Sequence, residues 1–180
     1  MNNPLSNEGR YNLRSGLILY PDQQQAIEKI LIDLIQQTPA HFVLVADVTG
    51  QVVSTRGEQE SANLVALGSL VAGDLAASHE IARLTGQYQD HQMVLREGQT
   101  THTFICEAGH HLALLVQVAN ETPLGWARVV IRQAVRRLTD ITTKASVEGD
   151  QRNIASSESS LGQEDLSDLF SEALDDLLLE

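Results

Sequence analysis

The chain has 180 residues, of which 42% are hydrophobic and 20% charged, with a net charge of −12; this suits one globular domain with an appendage. A nucleic-acid binder shows a basic patch or a basic total, and this chain shows neither; its acidity lies mostly in Thr143 to Glu180, with ten acidic and two basic residues. Cys106 is the one cysteine, Met1 to Arg10 has no signal-peptide core, and no apolar run reaches membrane length, so the expectation is a cytoplasmic protein without internal disulfide or membrane span.

Residues 1–16 read as an N-terminal extension. Tyr20-Pro21-Asp22 then opens a helix, with Asp22 placed to cap it and Gln25 in capping-box position. Ile27, Ile30, Leu31, Leu34 and Ile35 recur at helical spacing, and Thr38-Pro39 ends the element. Phe42 to Asp47 is a strand-sized apolar run, Thr49-Gly50 a turn, and Gln51 to Thr55 a second strand. A long helix is expected from about Ser61 to Leu84, closed by Gly86. Three strands follow, Tyr88 to Arg96, Thr101 to Glu107 and His111 to Val118, joined by turns at Glu97-Gly98 and Ala108-Gly109. Thr122 and Pro123 signal the start of a last helix that runs to about Leu138 or Ile141. Short connections make a five-stranded antiparallel sheet the natural assembly, an α+β fold.

From 143 to 162 the composition turns polar and aperiodic and reads as a flexible linker. In 163–180, Leu166, Leu169, Phe170, Ala173, Leu174, Leu177 and Leu178 form one stripe of an acidic amphipathic helix. Burying each side chain yields roughly 1.5–3 kcal/mol, while ordering each residue costs ~1–2 kcal/mol. Asp175, Asp176 and Glu180 also sit at the end of the helix where negative charge is unfavourable. Such a helix needs a groove. A separate partner protein is the favoured one, with docking on the chain's own domain or permanent disorder of the segment as the alternatives.

The long middle helix has two faces at 100° per residue. Leu64, Leu67, Leu70, Val71, Leu75 and Ile81 make a large stripe suited to packing on the sheet. Ala62, Ala66, Ser69, Gly73, Ala76 and Ala77 make a small-residue stripe nearly opposite. Gly73 costs about 1 kcal/mol of helix propensity, which points to a second subunit or partner packing closely there.

Catalytic signals are weak. His79-Glu80 begins a zinc-protease helix motif, but Arg83 stands where the second histidine belongs. His102, His110 and His111 lie near one hairpin with only Glu107 beside them, a poor metal set. No nucleophile elbow, phosphate loop or dinucleotide fingerprint is present. Cys106 reads as a small buried hydrophobe. Arg128, Arg132 and Arg136, with Arg137 beside them, read as a solvated helix face. The expectation is a binding protein without cofactor or metal.

Several strings resemble the roadblock/dynein-light-chain family, and within it the MglB-like bacterial regulators of polarity and motility. They are Leu17-Ile18-Leu19-Tyr20, Leu67 to Asp74, Ala108 to Val118, and Glu121 to Gly125, in that order, with Ala173 to Leu178 similar to the family's C-terminal helix. The resemblance implies a roadblock-like α-ββ-α-βββ-α sandwich over 17–142. It implies a homodimer in which two sheets join edge to edge and two long helices pair. It also implies a small Ras-like GTPase partner of the MglA type, whose own catalytic loops are repositioned without a donated residue. The C-terminal helix in such proteins can contact the GTPase and influence nucleotide exchange. By position, the GTPase-facing residues are Ala66, Leu70, Gly73 and Ala77, and the tail contacts are Leu166, Phe170, Leu174, Leu177 and Leu178. The competing readings are a scaffold or adaptor subunit that leaves nucleotide turnover unchanged, and a small-ligand sensing domain.

Overall fold

Ten elements follow one another in the computed structural model, which describes residues 10–58, 63–86 and 92–143 and the backbone of 144–160. They are β1 (Tyr11–Asn12), β2 (Ile18–Leu19), α1 (Pro21–Gln37), β3 (Ala40–Asp47), β4 (Val52–Gly57), α2 (Leu64–Thr85), β5 (Met93–Glu97), β6 (Thr101–Ala108), β7 (Leu112–Ala119) and α3 (Leu124–Ser160). The chain divides into two compact units, Met1–Ala145 and Ser146–Glu180, and the sheet belongs to the first.

The two most apolar strands, β3 and β7, pair at the centre of that sheet, where both faces need covering. Strand order is β4-β3-β7-β6-β5, antiparallel throughout. Alternation sends Val43, Val45, Phe104, Cys106, Leu112, Leu114 and Val116 to one face, under Ile27, Leu31 and Leu34 of α1 and Ala127, Ile131 and Leu138 of α3. Phe42, Leu44, Ala46, Ile105, Ala113 and Leu115 go to the other face, where Val71 and Leu75 of α2 meet them. The result is three layers: two helices, five strands, one helix. Trp126 Nε1 donates to the Gln37 carbonyl at 3.1 Å and Arg137 pairs with Asp33 at 2.9 Å, fastening α3 to α1.

The expected sheet and its three flanking helices are present, and several boundaries differ. Helix α1 is capped at Tyr20, with Pro21 at the first helical position and Gln23 Oε1 accepting from the Tyr20 N–H at 3.0 Å. Proline's missing N–H and fixed φ favour that position, which moves the cap two residues ahead of Asp22. Helix α2 starts at Leu64 with Asn63 as its cap, Oδ1 accepting from the Ala66 N–H at 3.1 Å. Gly86 closes it in the left-handed conformation, φ 68°. Thr122 does not cap α3 with its hydroxyl, because Oγ1 is buried without a partner among the described residues. The backbone of α3 stays helical to Ser160, through the stretch read as a linker. Polar composition suggested a break, but no proline follows Pro123 and Gly149 and Gly162 are the only glycines after Gly125. The segment 163–180 lies outside the described residues.

Part of the expected N-terminal extension is integrated into the domain. β1 pairs with β2, and Leu13, Leu17 and Leu19 are buried in the core. The fastening is Asp47, a fully buried carboxylate at the end of β3. Its Oδ1 accepts from the Thr49 N–H at 2.9 Å, the Thr49 hydroxyl at 2.7 Å and the Gln51 N–H at 2.8 Å. Its Oδ2 accepts from the Ser15 N–H at 3.0 Å. Burial pushes the pKa up, but the Thr49 hydroxyl and the three backbone donors outweigh it, so the group titrates below the ordinary aspartate range.

A depressed carboxylate pKa gives stability that is present above the unfolded-state value and lost as pH falls through the folded one. Asp47→Ala strands these donors and is expected to cost on the order of 2–3 kcal/mol in denaturant unfolding at neutral pH. Below the usual carboxylate range the difference between wild type and variant should shrink. A difference that persists unchanged in acid would refute the linkage.

Candidate interaction surface

Helix α2 is held to the domain by a narrow strip. Of its 22 residues, Gly68, Val71, Leu75 and Ala82 are buried, and these fall on one side at 100° per residue. The closest approach is backbone to backbone. Gly50, at φ 91° in the β3–β4 turn, lies against Gly68 and Ser69, and a Cβ on Gly68 would sit 2.4 Å from the Gly50 carbonyl oxygen. Any side chain at 68 therefore lifts the helix from the turn.

The opposite side carries no such contact. Ala66, Leu70, Gly73 and Ala77 are all exposed, and a Cβ on Gly73 meets nothing within 4 Å. Ile81 and Leu84 extend the same stripe at helical spacing. Leu70 is 70% exposed, Ile81 63% and Leu84 71%. This corrects the sequence-based large stripe: Leu70 and Ile81 are not against the sheet. Val71 and Leu75 lie nearer the centre of the buried arc, and the Gly68 contact fixes the helix rotation so that positions 70 and 81 turn away. Ala62 lies outside the described residues.

One 18-residue window of α2 has a mean hydropathy of 1.3 with 17% of it buried. By length and composition it matches a membrane-crossing helix, against the expectation that no segment approaches one. The alanines of the small stripe raise the average, and packing of Val71 and Leu75 on the sheet places the helix in the domain. Its outward side is a contiguous apolar patch of a size uncommon on monomeric proteins.

The sheet edges are unequal. α1 reaches β4, with Gln24 Nε2 donating to the Val53 carbonyl at 3.2 Å and Glu28 pairing with Arg56 at 3.0 Å. Among the described residues no element covers the outer edge of β5. The open strand edge and the exposed helix stripe belong to the same half of the sheet, since Arg96 of β5 bonds Asp74 of α2.

The residues weighed for chemistry are dispersed. His79 Nε2 and Glu107 Oε2 are 3.1 Å apart beside a cavity of about 90 Å³ lined by Val48, Ala72, Leu75 and Ala76. Among the described residues no group of three His, Cys, Asp or Glu side chains is placed to hold a metal. Burial pushes the Cys106 thiol up to about 12, with Arg132 pulling the other way, so it stays protonated at neutral pH. Arg128, Arg132 and Arg136 are exposed on α3. The tail residues Leu166, Phe170, Leu174, Leu177 and Leu178 lie outside the described residues.

No family model and no curated protein matches the chain. Solved structures do. The gliding protein MglB from Thermus thermophilus superposes with a TM-score of 0.65 at 26% identity, over 72% of this chain and 97% of that one. MglB of Myxococcus xanthus gives 0.65 at 28% identity, over 72% and 96%. A Roadblock/LC7 domain from Streptomyces avermitilis shares the fold at 0.55 and 19% identity, over 60% and 90%.

The two glycines of α2 should respond oppositely to alanine. Gly68→Ala forces the helix off Gly50 and is expected to destabilise by about 1–3 kcal/mol. Gly73→Ala, in open space, is expected to stabilise the isolated domain by up to about 1 kcal/mol. Urea unfolding at low protein concentration measures both, and equal effects would refute the assigned orientation of α2.

Proposed function

We propose that this chain, whose fold is the roadblock-domain fold of the MglB-like kind, is a cytoplasmic, non-enzymatic regulator of a small Ras-like GTPase of the MglA type. It acts as a homodimer built along the open edge of β5 and the adjoining side of α2. The observation that carries this reading is the exposed apolar stripe from Ala66 to Leu84 on a folded, sheet-anchored helix.

The chemistry of the stripe limits how it can act. Ala66, Leu70, Gly73 and Ala77 carry no side-chain polar atom, so none can stabilise charge on a transferring phosphoryl group. Acceleration of GTP hydrolysis would come from holding the GTPase's own loops in their competent arrangement, which is binding energy spent on one conformation. The acidic segment 163–180 would supply a second, separate contact through Leu166, Phe170, Leu174, Leu177 and Leu178, and with it an effect on nucleotide exchange. An adaptor role is the second reading, favoured by the same lack of polar groups: a purely apolar surface can bind without biasing any loop.

Mixing the purified protein with the small GTPase of the same cell should accelerate GTP hydrolysis or exchange. Binding with unchanged kinetics would favour the adaptor, and absence of a complex would sink both. Gly73→Arg places a long cation in the open stripe without a clash in the domain. It should keep the melting temperature within a few degrees and abolish GTPase binding or dimer formation. Retention of both associations would refute the role of this face.

A further inference from the structure

We propose that Asp74 and Arg96 form half of a four-membered charge ring, completed by the same two residues of a second copy of this chain. The inference rests on the homodimer proposed above and names the contact that determines which surface is accepted there.

Asp74 is the polar interruption on the flank of α2 that faces β5. Its side chain is only 16% exposed. Arg96 Nη2 donates to Oδ1, and the Arg96 side chain is otherwise 62% exposed. The second carboxylate oxygen, Oδ2, is buried and has no hydrogen-bond partner among the described residues. Leaving a charged acceptor buried and unpaired is costly, and native proteins seldom do so. Of the helix neighbours one turn away, Leu70, Val71 and Ala77 have no side-chain donor, and the Ser78 hydroxyl makes no bond to Oδ2.

The sheet indicates where the missing donor comes from. β5 is the last strand, and its Val94 packs toward α2 while Met93 and Leu95 pack toward α1 and α3. Arg96 is two residues from Val94 and shares its face. A second β5 added antiparallel, with both α2 helices on one side of the joined sheets, keeps that alternation. It brings the partner subunit's Arg96 onto the face where Asp74 lies. A guanidinium has five N–H donors, so one arginine can serve its own Asp74 and the partner's. Two-fold symmetry makes the contact twice. The exposed Ile81 beside it would exclude water from the ring on association, which strengthens the paired arrangement and penalises any partner lacking the donor.

Analytical ultracentrifugation and native mass spectrometry of the full chain test this. Asp74→Asn, an isosteric change, should raise the dimer dissociation constant about tenfold or more. Asp74→Arg and Arg96→Asp should each weaken self-association. Mixed together, those two charge variants should form heterodimers in excess of either homodimer, because only contacts between copies pair opposite charges in the mixture. A purely internal Asp74–Arg96 bridge is repulsive in both variants and gives no such preference. Circular dichroism checks folding, and Asp74→Asn remains decisive should an arginine or aspartate variant fail to fold. A wild type that stays monomeric at micromolar concentration would overturn the homodimer and this ring with it. A dimeric wild type, with an unchanged constant for Asp74→Asn or no heterodimer preference, would overturn the ring alone.

Discussion

The distance at which α2 rests on the β3–β4 turn governs the architecture. Gly50 and Gly68 meet backbone to backbone, which no pair with side chains could do. The turn is held for this contact by Asp47, whose carboxylate gathers the N–H groups of Ser15, Thr49 and Gln51. One buried acid thus organises the turn, the N-terminal hairpin and, through Gly50, the seat of the helix. Because the seat is narrow, α2 buries one side and presents the other.

The layers are unequal for the same reason. On one face α1 and α3 cover the sheet together, joined by Trp126 to Gln37 and Arg137 to Asp33. On the other face α2 lies alone among the described residues. A lone helix on a five-stranded sheet leaves apolar surface on its own far side and along the neighbouring strand edge. The roadblock-like fold that this chain shares with the solved structures therefore leaves the far side of α2 and the outer edge of β5 uncovered among the described residues. Polar chemistry is sparse on the exposed stripe, and Cys106 and the histidines are placed apart from it.

Local rules located most elements. The Phe42–Asp47 run, the turns at Gly50 and Gly109, and the closing Gly86 are all where strand periodicity and glycine conformation place them. Misreadings arose where two local rules competed. At the first helix, proline's preference for the first helical position outranked the capping preference of Asp22. In the last helix, polar composition suggested a linker while the scarcity of glycine and the absence of proline allowed helical backbone to Ser160. Leu70 and Ile81 were assigned to the sheet because a 100° wheel fixes relative angles among residues and leaves the rotation of the whole helix free.

The sequence by itself determined the α+β order, the five strands, the apolar character of both sides of α2 and the smallness of Ala66, Gly73 and Ala77. These follow from periodicity and side-chain size, which are properties of neighbours along the chain. Only the tertiary structure decided which side of α2 faces outward, that Leu70 and Ile81 belong to the exposed side, and that Asp74 meets Arg96 22 residues away with one oxygen left unpaired. The Gly50–Gly68 contact and the Asp47 network likewise join residues distant in sequence. No local pattern encodes them, because they exist only once the sheet has brought its turn against the helix.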